Sequence, residues 1–129
     1  MDATAAITAL KEVLPTSQFT LRSTTEYEDL NSGTYQSGLN GDITPACILQ
    51  PRTVQDISNF LVTIAPFVAV GEATFAIIGS SRQSAPGCSN IQDGITLNLG
   101  LLKGISIEDG YVSIGAGNNC GPVFEKLAD

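Results

Sequence analysis

Residues 46–79 read ACILQPRTVQDISNFLVTIAPFVAVGEATFAIIG, and the succession of patterns in them decides the fold. Ala46–Gln50 is a short apolar run ended by Pro51, which suits a buried strand. Thr53, followed three residues later by Asp56, is a variant of the capping box that opens a helix. Val54, Ile57, Leu61 and Ile64 recur at helical spacing with Phe60 beside them, giving one apolar stripe. Pro66 is expected to close this helix, because proline lacks the N–H and its ring crowds the preceding turn. Phe75–Ile78 is a second buried run. Strand, helix, strand in that order predicts a right-handed parallel crossover.

Upstream, Asp2 is placed to cap a helix from Ala3 to about Val13, with Ile7, Leu10 and Leu14 on one side and Pro15 as its stop. Phe19–Leu21 reads as a short extended piece and Glu26–Leu30 as a helical turn. Asn31–Pro45 carries three glycines and no periodicity, so a long surface connection is expected. Downstream, Ile95, Leu97 and Leu99 alternate with Thr96 and Asn98, the pattern of a half-buried strand. Ile105 and Ile107 alternate likewise, and Asp109-Gly110 joins them to Tyr111–Ile114 as a hairpin. Pro122 suits the first position of a last helix carrying Val123, Phe124 and Leu127. The chain stops within that pattern, with neither cap nor polar tail, and reads as cut rather than finished.

At 129 residues, 43% of them hydrophobic and 15% charged, the chain has the size and composition of one globular domain. It contains no histidine, which excludes a Ser-His-Asp triad, a Cys-His dyad and any histidine metal site built from this chain. Six basic residues against thirteen acidic ones give a charge of −7. The basic residues are unclustered, which argues against nucleic acid and against an anionic membrane surface as partners. Apolar stretches are too short or too interrupted to span a bilayer, and Met1-Asp2-Ala3 does not begin a secretory signal. Cys47, Cys88 and Cys120 are far apart in sequence and suit small, partly buried residues better than a zinc site.

Two glycine-rich stretches can carry chemistry. The loop Gly79–Gly87 (GSSRQSAPG) follows a strand directly, where open α/β sheets bind ligands. Its small residues let backbone N–H groups approach a phosphate, Ser80, Ser81 and Ser84 add hydroxyls, and Arg82 adds a fixed positive charge. The same composition also suits a plain loop. Neither G-x-G-x-x-G nor the P-loop pattern is present. Gly115–Gly121 precedes a helix and either serves an anion at the helix start or only permits a tight turn. Tyr27, Tyr35 and Tyr111 are candidate acids or bases, although Tyr111 suits cross-strand packing better. Asp42 and Glu72 lie in loops without an evident partner. No residue declares itself a nucleophile, and no catalytic or metal-binding residue is assigned.

Pro45–Pro51, Val54–Ile57, Phe75–Arg82, Pro86-Gly87, Ser89–Ile91, Gly94–Leu99 with Leu102, and Ile114–Gly117 with Val123 and Leu127 together resemble the FAD-binding domain of the berberine-bridge-enzyme-like flavoproteins. These are FAD-linked oxidoreductases of the vanillyl-alcohol oxidase superfamily, and the spelling here looks fungal. The resemblance runs in order along nearly the whole chain. It implies that Gly79, Ser80, Ser81, Arg82, Gln83 and Gly87 wrap the FAD pyrophosphate. The family pattern has an arginine, glycines and a flavin-linking histidine where this chain has Ile78, Ser80 with Ser81, and Arg82. Any bound FAD is therefore expected to be non-covalent. Each serine also adds a Cβ where a positive φ costs about 1 kcal/mol or more. Some members pair the cysteine of the Pro-Ala-Cys motif with one near the N-terminus; Ile7 stands at that place here, so Cys47 is expected to be unpaired.

The expected fold is α/β (α+β): the N-terminal subdomain of a PCMH-type FAD-binding domain, a small mixed sheet with flanking helices. Residues 1–44 form the N-terminal helix and connection, and residues 45–129 the first part of the FAD-binding domain. Family members are longer and often secreted, carrying a substrate domain with the catalytic base. The expected function is flavin-dependent oxidation of a small molecule, in specialised metabolism, by this chain or by a longer protein of which it is a part. The alternative is an inactive remnant serving as a binding or interaction domain. An uncovered sheet edge would favour self-association.

Overall fold

The computed structural model describes residues 3–33, 38–79 and 87–128. Helix α1 (Thr4–Val13) leads through a single 3-10 turn (Thr16–Gln18) into strand β1 (Phe19–Leu21), followed by α2 (Thr25–Gly33) and the one-turn α3 (Gly38–Gly41). Strand β2 (Cys47–Leu49), helix α4 (Val54–Ala69) and strand β3 (Phe75–Ile78) form the crossover expected from the sequence. Strand β4 (Ile95–Asn98), the hairpin β5 (Ile105–Glu108) and β6 (Tyr111–Ile114), and helix α5 (Cys120–Ala128) complete the chain. The main sheet has the order β1-β2-β4-β3, with β1 antiparallel and the other three strands mutually parallel. The hairpin is a separate two-stranded sheet. The architecture is thus the expected α+β one.

Alternation along the strands divides the sheet into two faces. Cys47, Leu49, Ile95 and Leu97 meet Ala6, Leu10 and Leu14 of the α1 segment and Phe60 and Ile64 of α4 in the main core. Phe60 and Phe75 add an edge-to-face ring pair with centroids 5.4 Å apart. The other face is also covered. Ile48 and Thr96 are buried, and β4 is closed to solvent along its whole length rather than half-buried. The second cover comes from α2 and from the segment after it, which the sequence assigned to surface connection. Tyr27 is buried there, its hydroxyl donating to the Pro45 carbonyl at 2.7 Å. Asn31, 4% exposed, donates to the carbonyls of Gly41 and Ile43. Asn90 donates to Asn31 Oδ1 at 2.9 Å and accepts from Thr96 Oγ at 2.7 Å, tying this layer to β4.

Several local expectations change. Helix α4 runs through Pro66 to Ala69, with the Val70 N–H returning to the Pro66 carbonyl. Pro66 and Val62, one turn before it, both face solvent, so the carbonyl deprived of a partner is on the wet side. Val54 and Leu61 are exposed, while Phe60 and Ile64 carry the buried stripe. The capping box is present in full: Thr53 Oγ accepts from the Asp56 N–H, and the Asp56 carboxylate accepts from the Thr53 N–H. Ala3 stands at the α1 N-cap without a side-chain bond, and the proposed cap, Asp2, lies outside the described residues. Pro122 is the third residue of α5, not the first. In the hairpin only Gly110 takes a positive φ, +86°.

Candidate functional site

The carboxyl ends of β2, β4 and β3 share one edge of the sheet, and the chain leaves β3 there at Gly79. Of the loop residues implied in cofactor binding, Gly79 and Gly87 are described; Ser80, Ser81, Arg82 and Gln83 lie outside the described residues. The Leu99 N–H donates to the Ile78 carbonyl at 2.8 Å, which fixes where the loop begins. A Cβ on Gly79 would stand 2.9 Å from the Ala116 carbonyl oxygen. The start of the first glycine-rich stretch therefore lies against the second. Gly87 has φ +83° with open space where a Cβ would project. Ile78, at the position of the family arginine, is buried in the sheet.

The second stretch is a packing device. A Cβ on Gly115 would meet the Leu102 carbonyl oxygen at 2.1 Å, and one on Gly117 would meet the carbonyls of Leu99 and Gly100 at 2.6 Å. The Gly115 N–H donates to Gly104, the Gly117 N–H to Leu102 and the Asn118 N–H to Gly115. The Asn118 amide clamps the same strap by donating to the carbonyls of Lys103 and Gly115. These three N–H groups are committed to backbone, so Gly115–Asn118 serves as a tight turn.

Beside this strap a groove of about 640 Å³ opens between the start of α4, the Leu99–Gly104 connection and the hairpin. Arg52, Ile57, Lys103, Ser113, Ile114 and Ala116 are among its lining residues, so it adjoins the point where Gly79 leaves the sheet. Its volume lies in the usual range for small-molecule sites. At its α4 end, Asp56 accepts from the Arg52 and Thr53 N–H groups and from Gln18 Nε2. These donors, Gln18 foremost, hold the Asp56 carboxyl below the usual carboxylate range. The Gln18 Oε1 atom is buried without a partner among the described residues.

The remaining candidates are structural. The Tyr27 phenol is raised by burial, which keeps it protonated and bonded to Pro45. Tyr35 lies outside the described residues, and Tyr111 is exposed opposite Glu108. Asp42 and Glu72 stay in loops, both exposed. Cys47 is free and buried, as expected, and burial pushes its thiol up to about 12. Arg22 pairs with Asp93 at 2.5 Å, an ion pair bridging residues too distant in sequence for any spacing rule to find. Among the described residues no group of His, Cys, Asp and Glu could hold a metal ion, and no helix is long and apolar enough to cross a membrane.

The fold is an α+β one with these loops gathered at one edge of its sheet. Solved structures share it. Phl p 4.0202, a glucose dehydrogenase, superposes with TM-score 0.77 at 12% identity over 96% of this chain and 26% of its own. The Arabidopsis thaliana protein BBE-like #28 does so with TM-score 0.74 at 11% identity, over 94% of this chain and 24% of its own. No family model matches. The FAD-dependent monooxygenase FUP4 of Fusarium proliferatum is 33% identical over 95 residues, which are 72% of this chain and 18% of that protein. The FAD-dependent monooxygenase tpcD of Cochliobolus heterostrophus is 32% identical over 88 residues, 64% of this chain and 16% of that one. The chain thus spans less than a fifth of the length of these relatives. Its sequence is similar to part of fungal FAD-dependent monooxygenases, and its fold to part of berberine-bridge-enzyme-like proteins.

Two features bear on the cofactor of such proteins. Gly79 puts no side chain at the end of β3, its Cβ direction being taken by the Ala116 carbonyl oxygen, and Gly87 is left-handed with open space about it. Histidyl attachment has no residue to form it.

Proposed function

We propose that this chain supplies part of the FAD site of a flavin-dependent oxidoreductase acting on a small molecule. One observation carries the reading: the loop that begins at Gly79 leaves a parallel strand at its carboxyl end. Gly79, Ser80, Ser81, Arg82, Gln83 and Gly87 would hold the pyrophosphate, the glycines through backbone N–H groups and Arg82 through its guanidinium. Bound FAD supplies the electron acceptor for substrate oxidation. The chain's own part is to bind and orient that group; no residue described here is placed to abstract a proton from a substrate.

Purified protein titrated with FAD is expected to bind it reversibly, and acid precipitation should leave all the flavin in the supernatant. Arg82→Ala should weaken FAD by about 1.5–3 kcal/mol, the range for a hydrogen bond to a charged group. Flavin retained in the acid pellet, or equal affinity in the variant, would remove Arg82 from the site. The second reading, a binding domain without turnover, draws on Ile78, which is buried where the family pattern has arginine. Absence of any FAD binding by the folded protein selects it.

A further inference from the structure

We propose that the groove between the start of α4 and the hairpin is a second ligand site, selective for an organic anion with an apolar body. Six of the 129 residues are basic and the net charge is −7, yet two of the six, Arg52 and Lys103, line this one groove. No aspartate or glutamate is among its lining residues. The only ion pair among the described residues is Arg22–Asp93, so neither cation of the groove is neutralised by a partner. The nearest acids are already engaged: Asp56 by Gln18 and by backbone N–H groups, Glu108 by the Ser106 hydroxyl at 2.5 Å.

The groove is also lined by apolar residues, Ile57 on α4, Leu102 on the connection and Ile114 on the hairpin. The Ser113 hydroxyl adds a polar point. Two unpaired cations over an apolar floor recognise a charged head carried on a hydrophobic ring system. A neutral analogue would keep the floor and lose the heads. The proposal rests on this charge and shape and does not require the flavin reading.

The test uses 2-naphthoate as probe and 2-naphthalenemethanol as its neutral counterpart, followed by amide NMR of the full chain. Naphthoate is expected to shift Gly104, Ser113 and Gly115 saturably and to bind at least about tenfold more tightly than the alcohol. A variant with both Arg52→Gln and Lys103→Gln, whose exposed side chains leave the core untouched, should abolish that preference while its spectrum stays folded. Adenosine monophosphate separates two sources of the charge. Competition by it at equal or lower concentration assigns the groove to a nucleotide phosphate; failure to compete assigns it to a carboxylate. Equal binding of acid and alcohol, or shifts confined elsewhere, overturns the proposal. FAD is read at Gly79 and Gly87, so its failure to bind shows in different resonances.

Discussion

Cys47 sits with no exposed surface beneath α1 and α4, whereas Cys88 and Cys120 are exposed. Thiolate, not thiol, reacts with disulfide reagents, and burial has pushed Cys47 up to about 12. In native protein at neutral pH, an aromatic disulfide reagent should therefore titrate two thiols quickly, and the third only after denaturation. Asp56 gives a second expectation at this scale. Its carboxyl is held below the ordinary range in the folded state, so its stabilisation is present at neutral pH and is lost as pH falls through the carboxylate range. Asp93, held down by Arg22, acts with the same sign. Melting temperature should drop on acidification, and Asp56→Asn should flatten that drop without removing the share due to Asp93. Thr53→Ala, which deletes the other half of the cap, should cost about 1 kcal/mol. The Thr53–Asp56 pair was legible because three residues separate its members. The Asn31–Asn90–Thr96 network was not, because nothing local ties residue 31 to residue 90, and a polar Asn in a glycine-rich run reads as surface.

Among the elements, the crossover was readable because strand, cap, helical stripe and strand follow each other within 34 residues. The Pro66 stop misled, since proline ends a helix only when the lost bond cannot be made good, and here that side of α4 is wet. The strand β4 misled in the opposite direction. Its Thr96 and Asn98 look like an outward face, but a polar layer covers them. The glycines divide into two kinds that sequence cannot separate. Gly115→Ala places a methyl 2.1 Å from the Leu102 carbonyl, so the strap and hairpin must part. Overpacking of this kind costs typically 1–3 kcal/mol or more. Gly121→Ala, in open space within α5, should instead stabilise by up to about 1 kcal/mol, as alanine does in a helix. Chemical denaturation of the two variants checks the contrast. Similar midpoints for both would mean that the close approach at Gly115 does not constrain the fold.

The whole molecule leaves apolar side chains uncovered. Val54, Val62, Tyr111 and Phe124 are each at least two-thirds exposed, and Ile77 on edge strand β3 is 49% exposed. The relatives continue for several times this length. We expect concentration-dependent self-association despite the −7 charge, read as a rising weight-average mass in sedimentation equilibrium. A mass that stays monomeric at all concentrations would refute it. The strand order carries a further consequence, for how the chain is made. β4 lies between β2 and β3 yet is synthesised after both, so until residue 98 has left the ribosome those two strands have no common partner. At about 5–20 residues per second, the interval from residue 78 to residue 98 lasts about 1–4 seconds. Collapse of an apolar chain takes microseconds, so the nascent protein waits, half-built, with Phe75–Ile78 open to any other strand. Until β4 is made, the two strands that will flank it lack the neighbour that joins them.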